Sequence, residues 1–154
     1  GKIYSEWRCL LDLRLDSLLG IIKTVIEVKA VEINPLVLAY LGDTIYENYV
    51  RRFLIASYGG NVKQLQEKSI EYVSARSQAM YLKRLLELDF FTEEEMYILK
   101  RARNYKSKSH PKNCDVVTYK HATALEAVIG YLDLIGRNTR IQEIMDMILG
   151  GKLC

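Results

Sequence analysis

Between residues 34 and 95 the chain carries helix-start signals at intervals that fit a compact helical bundle. Asn34 is a natural N-cap, and Pro35 follows at the first helical position, where a missing N–H costs nothing. Ser57, Gly59 and Gly60 stop that helix after about Ala56. Asn61 caps a second helix ending near Tyr72, and Ser74 starts a third that runs through Leu88. Thr92, followed by Glu93, Glu94 and Glu95, opens a fourth as a capping box. Apolar residues recur at helical spacing and strand alternation is scarce, so the chain is expected to be all-α, with four to six helices after its N-terminal segment. With 154 residues it can bury a real core as one domain without disulfides or metals.

Residues from Asn104 to Val116, with Ser107, Ser109, Pro111 and Asn113, read as an exposed loop. Helical spacing resumes from about Thr118 to Ile135, and a last amphipathic helix runs from about Thr139 to Leu149. Residues 1–30 stand apart as an N-terminal extension or added helix, with Leu10, Leu11, Leu18, Leu19, Ile22, Val25 and Ile26 on one helical face; residues 31–154 form the domain proper. No apolar run reaches the roughly 20 residues that span a bilayer. Arg14, Asp16 and Lys23 break the leucine-rich start, which argues against a leader or an anchor. Cys9, Cys114 and Cys154 match neither zinc nor redox spacing, which points to a reducing cytoplasm.

The net charge of +3 conceals a strong asymmetry. From Lys100 to His121 the chain carries seven basic residues, Lys100, Arg101, Arg103, Lys106, Lys108, Lys112 and Lys120, against the single acid Asp115. The remaining 15 basic and 18 acidic side chains leave the rest at −3. Seven charges can be a solvated helix end and loop. The near absence of balancing acids favours a strip that follows phosphates, with Tyr105, Ser107, Ser109 and Asn113 adding hydrogen bonds. His110 and His121 do not form a metal-spaced pair and fit RNA-contacting or surface positions.

Two carboxylates sit where carboxylates are costly. Asp43 is the first charge after Pro35 in a helix whose start is apolar, and Glu126 is the only charge between Ala122 and Leu132. Buried and ionised without partners, each would cost several kcal/mol. Either each is partly exposed or hydrogen-bonded on its own helix, or the two helices cross where the carboxylates face one another. Facing carboxylates would offer hard oxygen ligands to magnesium, which needs only one or two of them beside substrate phosphates. Gly42 supports a close approach at that point.

The run Leu38-Ala39-Tyr40-Leu41-Gly42-Asp43-Thr44-Ile45 resembles the signature of the ribonuclease III family, usually Glu-Phe-Leu-Gly-Asp-Ser followed by an aliphatic residue. Leu125-Glu126-Ala127-Val128-Ile129-Gly130 resembles its second motif, Phe-Glu-Ala-Leu-Ile-Gly. Tyr72 to Ala79, Lys100 to Asn104 and Pro111 to Asn113 look like the Mini-III branch of that family. The resemblance runs in order from about Asn34 to Leu134. It implies a helical ribonuclease III endonuclease domain that dimerises across a valley for duplex RNA. It also implies one magnesium centre per subunit, held by Asp43 and Glu126, 5′-phosphate and 3′-hydroxyl ends, and no double-stranded-RNA-binding domain. Mini-III members trim precursor ends of 23S ribosomal RNA, so that substrate is expected here.

The larger family has acids where this chain has Ala39 and Thr123, a departure the Mini-III branch shares. Glu47, one turn after Asp43, is a candidate for a further metal carboxylate. Arg76, Lys100, Arg101, Arg103, Asn104, Lys106, Lys108, Lys112 and Lys120 are the expected RNA contacts. The competing readings are a non-catalytic RNA-binding or ribosome-associated domain of the same fold, and a helical module for protein partners.

Overall fold

The computed structural model describes residues 17–22, 29–106 and 111–153. Lys108, His110, Cys9, Cys154 and the N-terminal positions Leu10, Leu11, Val25 and Ile26 lie outside the described residues. From residue 35 on, six helices follow one another among the described residues: α1 (Pro35–Tyr58), α2 (Val62–Val73), α3 (Ala75–Glu87), α4 (Glu93–Arg103), α5 (Val116–Leu134) and α6 (Asn138–Leu149). No strand occurs among the described residues, so the expectation of an all-α domain holds. No helix among them is long and apolar enough to cross a membrane.

The caps act where the sequence placed them. Asn34 accepts from Leu36 N at 2.9 Å with Pro35 beside it, and Gly59, at a φ of 66°, ends α1. Asn61 caps α2, Ser74 caps α3, and Thr92 and Glu95 form a reciprocal capping box on α4. Helix α5 begins two residues before the expected Thr118, because Asp115 caps it by accepting from Thr118 N at 2.9 Å and Thr118 Oγ1 at 2.7 Å. Residues 17–22 are helical and exposed, with Leu18, Leu19, Ile21 and Ile22 45–61% accessible to solvent.

Helix α5 is the axis of the bundle. Ala122 to Leu125 and Ala127 to Leu132 are all buried, and α1, α3, α4 and α6 pack around it, α1 most extensively. The crossing of α1 and α5 is set by two glycines. A Cβ at Gly42 would fall 1.7 Å from the Glu126 carbonyl oxygen, and one at Gly130 would fall 2.0 Å from that of Leu38. Backbone cannot retreat as a flexible side chain can, so both positions must lack a side chain for the helices to meet at this distance.

Polar contacts pin the remaining helices. Arg140 of α6 grips the buried Glu95 carboxylate through Nε at 2.8 Å and Nη2 at 2.9 Å, and donates to the Phe90 carbonyl at 2.6 Å. Next to it, Glu94 accepts from Tyr131 of α5 and from Arg137 at 2.5 Å. The Tyr131 hydroxyl, with help from Arg137, holds Glu94 below the usual carboxylate range. The start of α4 is thereby fastened to both helices that follow it.

Candidate active site and nucleic-acid interface

The glycine crossing decides what the two lone carboxylates do. Gly42 lies against the backbone of Glu126 itself, so its neighbour Asp43 is carried to the Glu126 side chain. The two carboxyl groups are within hydrogen-bonding reach of one another. Asp43 is exposed on one side and Glu126 is half-buried, which leaves the pair open to solvent along one edge. Facing carboxylates, one of the two arrangements left open by the sequence, are therefore present.

Electrostatics at the pair follows from this geometry. Burial among the helices, and then the Asp43 carboxylate, push Glu126 from its ordinary 4.5 up to about 8, against a hydrogen bond from Gln78 that favours the ionised form. Burial and the nearby Glu47 charge raise Asp43, while its hydrogen bond with Glu126 pulls the other way. Without a cation the pair therefore holds one shared proton near neutral pH, which Glu126 keeps and donates to Asp43. Behind it, Tyr46 is fully buried and donates to the Tyr72 carbonyl at 2.5 Å. Burial keeps that hydroxyl protonated far above its ordinary range.

The donor set suits a hard divalent ion: two carboxylates, crowded enough to resist joint ionisation, on rigid helices and facing an open edge. Glu47 is half-buried one turn along α1 and pairs with Arg51 at 3.2 Å. No set of three metal-ligating side chains converges among the described residues. Ala39 and Thr123, each 7% exposed, fill the two positions where the larger family carries acids.

The basic residues divide into two groups. Arg76 on the first turn of α3, Lys100 and Arg103 on the last turn of α4, the capping Asn104, and then Lys106 and Lys112 are all exposed. Lys120 is half-buried on α5, roughly 9 Å of helix rise before Glu126. Arg101 is engaged otherwise. Its guanidinium donates to the carbonyls of Val31 at 2.5 Å, Ile33 at 2.7 Å and Glu32 at 2.9 Å, and so holds the chain that leads into α1. Nearby, Asn34 donates to the Tyr105 hydroxyl at 2.9 Å. The sequence offers no signal separating Arg101 from its neighbours, since a structural arginine in a basic run has the same spelling as a phosphate contact.

A helical bundle with paired carboxylates at a glycine crossing and exposed basic side chains on neighbouring helices defines a class, and sequence comparison agrees on which. The profile of the Ribonuclease III domain matches residues 36–136, and the chain belongs to the ribonuclease III family. Within it, the chain is similar to the Mini-ribonuclease 3 of Staphylococcus aureus, with 45% identity over 117 residues that cover 76% of this chain and 87% of that protein. The Mini-ribonuclease 3 of Brevibacillus brevis is 49% identical over 112 residues, 73% of this chain and 82% of that one. A crystal structure of a Fusobacterium nucleatum protein superposes with a TM-score of 0.68 at 34% identity, covering 77% of this chain and 94% of the other. These relatives place the chain in the Mini-ribonuclease 3 group.

Proposed function

We propose that this protein is a magnesium-dependent endoribonuclease that cleaves double-stranded RNA as a homodimer. The observation that carries the reading is the meeting of Asp43 and Glu126 at the glycine crossing, with their carboxyls in contact and open to solvent. The names of the relatives, all ribonucleases, support it.

In this reading Asp43 and Glu126 would hold the ion, and the burial that raises both carboxyls, with the Asp43 charge added at Glu126, would be offset by a dication in place of their shared proton. Bound there, magnesium supplies water activation and neutralises charge developing on the scissile phosphate. The protein's own part is placement. Gly42 and Gly130 keep the carboxylates on facing helices, and Arg103, Lys106 and Lys112 hold the duplex by its phosphates without reading bases. Arg76, Lys100, Asn104, Lys108 and Lys120 extend that contact, and Glu47 stands ready as a further carboxylate beside the ion. Hydrolysis leaves 5′-phosphate and 3′-hydroxyl ends. Resemblance to the Mini-III branch assigns 23S ribosomal RNA precursor as the substrate, in the cytoplasm.

The test is a long RNA duplex incubated with wild type, Asp43→Asn and Glu126→Gln, in magnesium and then in excess chelator. Both substitutions keep shape while removing the charge that holds the ion. Cleavage is expected to fall by at least about 100-fold in each variant, with duplex affinity and folding retained. Near wild-type cutting by either variant refutes its carboxylate as a ligand, and binding without any cleavage by the wild type leaves the non-catalytic RNA-binding reading in its place.

A further inference from the structure

Three polar or charged side chains are buried among the described residues: Gln78, Glu95 and Thr123. Glu95 is neutralised by Arg140. Gln78 is 2% exposed, carries no charge and caps no helix. Burying a carboxamide is unfavourable unless its hydrogen bonds are made, and this one is directed at the Glu126 carboxylate.

The placement is rigid. Helix α3 packs along α5, and Gln78 lies in its first turn. Ser74 fixes that turn, its hydroxyl accepting from Ser77 N at 3.2 Å and its carbonyl from Gln78 N at 3.0 Å. The backbone under Gln78 is therefore anchored, and enclosure restricts its rotamers. Two helices thus bear on one carboxylate, α1 through Asp43 and α3 through Gln78. An amide suits this task because it stays neutral at every pH and its N–H can only donate. A lysine there would compete with a cation for the same oxygens, and an apolar side chain would leave Glu126 free to turn toward its exposed edge.

We propose that Gln78 is a positioning residue for the metal centre, holding the Glu126 carboxylate in the pose that faces Asp43. The proposal rests on the reading of Asp43 and Glu126 as magnesium ligands. Partners that orient a metal-binding side chain typically change metal affinity by 10- to 100-fold when removed.

Manganese binding, followed by electron paramagnetic resonance on the RNA-free protein, tests this without recourse to activity. Gln78→Met keeps the volume and removes the donor. It is expected to weaken manganese binding by about tenfold, to leave duplex affinity in chelator unchanged, and to recover cleavage as magnesium is raised. A residue that merely fills space would lower the melting temperature and leave the manganese affinity of the folded protein unchanged, and that result overturns the proposal. Glu126→Gln in the same titration separates the two levels of inference. If it loses manganese while Gln78→Met does not, only the role of Gln78 fails; if it binds as wild type does, the metal-centre reading fails with it. Should Gln78→Met not fold, Gln78→Asn, which withdraws the amide by one methylene, must show the same loss, and wild-type affinity there overturns the proposal equally.

Discussion

Burial and the Asp43 carboxylate both disfavour the charged form of Glu126, and the consequence is open to measurement without substrate. Its carboxyl is raised from 4.5 to about 8, first by burial and then by Asp43. A folded-state value above the unfolded one means that the native state binds more protons throughout that window, so stability falls as pH rises through it. In chelator, the wild-type melting temperature is therefore expected to drop from about pH 5 to pH 8 relative to Glu126→Gln. The variant should be the more stable protein at the upper end. Metal added at pH 8 should close the gap in the wild type and release protons as it binds. Parallel melting curves for the two proteins across this range would show that Glu126 ionises without cost. Asp43 and Glu126 were legible in the sequence because each is a lone charge in an apolar stretch. Gln78 was not, since a glutamine in the amphipathic helix Ala75–Glu87 looks ordinary until α5 is laid against it. Arg101 was invisible as a structural residue for the converse reason, its sequence context pointing wholly to phosphate.

Helix α4 has two ends with opposite tasks. Its acidic N-terminal turn is fastened to α5 and α6, and the central contact, Arg140 with Glu95, is buried on the carboxylate side. Arg140→Met strands that carboxylate, also vacates the Phe90 carbonyl, and is expected to cost about 3–5 kcal/mol in urea denaturation. A cost below about 1 kcal/mol would mean that the pair behaves as an exposed surface bridge. The basic C-terminal end of α4 divides by face. Neutralising Arg103, Lys106 and Lys112 together should weaken different duplexes equally and lower the salt slope of binding by about 2 to 3. Arg101→Gln should instead reduce thermal stability and leave that slope nearly unchanged, because its guanidinium is spent on the carbonyls of residues 31 to 33. An unchanged slope in the triple variant places the RNA elsewhere. At this scale the first four helices were legible because caps are local, each signal lying within a few residues of the N–H it satisfies. The start of α5 was set two residues late because Asp115, counted as the one acid in a basic strip, is also its cap. The Glu95–Arg140 contact was beyond reach, since it joins residues 45 apart that only the folded bundle brings together.

Among the described residues several helices leave large apolar side chains exposed, and on α1 two of them stand close to the proposed metal centre. One face of that helix lies on α5, while Val37 and Tyr40 on another remain 56% and 84% exposed, three residues and more before Asp43. This exposed pair lies on the helix that carries a ligand of the proposed metal centre, and it is the surface to which the proposed dimer contact is assigned. In the proposed dimer the contact is isologous, so each copy presents the same patch to the other and any change in it acts twice. That gives the dimer a sharp test. Tyr40→Glu would place a negative charge in that patch on each copy, whereas the α1–α5 crossing, the Asp43–Glu126 pair and the exposed basic side chains stay intact within each chain. Sedimentation at micromolar concentration is expected to show the wild type at twice the chain mass of 17.8 kDa and the variant at the single-chain mass, with helical content and manganese binding preserved. Cleavage should separate the two forms more finely than mass. With one centre per strand, the dimer cuts both strands of a duplex in one encounter, and a monomer that retains its centre should leave single-strand nicks, visible as shortened strands on a denaturing gel while the native duplex stays near full length. A wild type that is monomeric at these concentrations and still makes double-strand cuts at full rate would overturn the dimer.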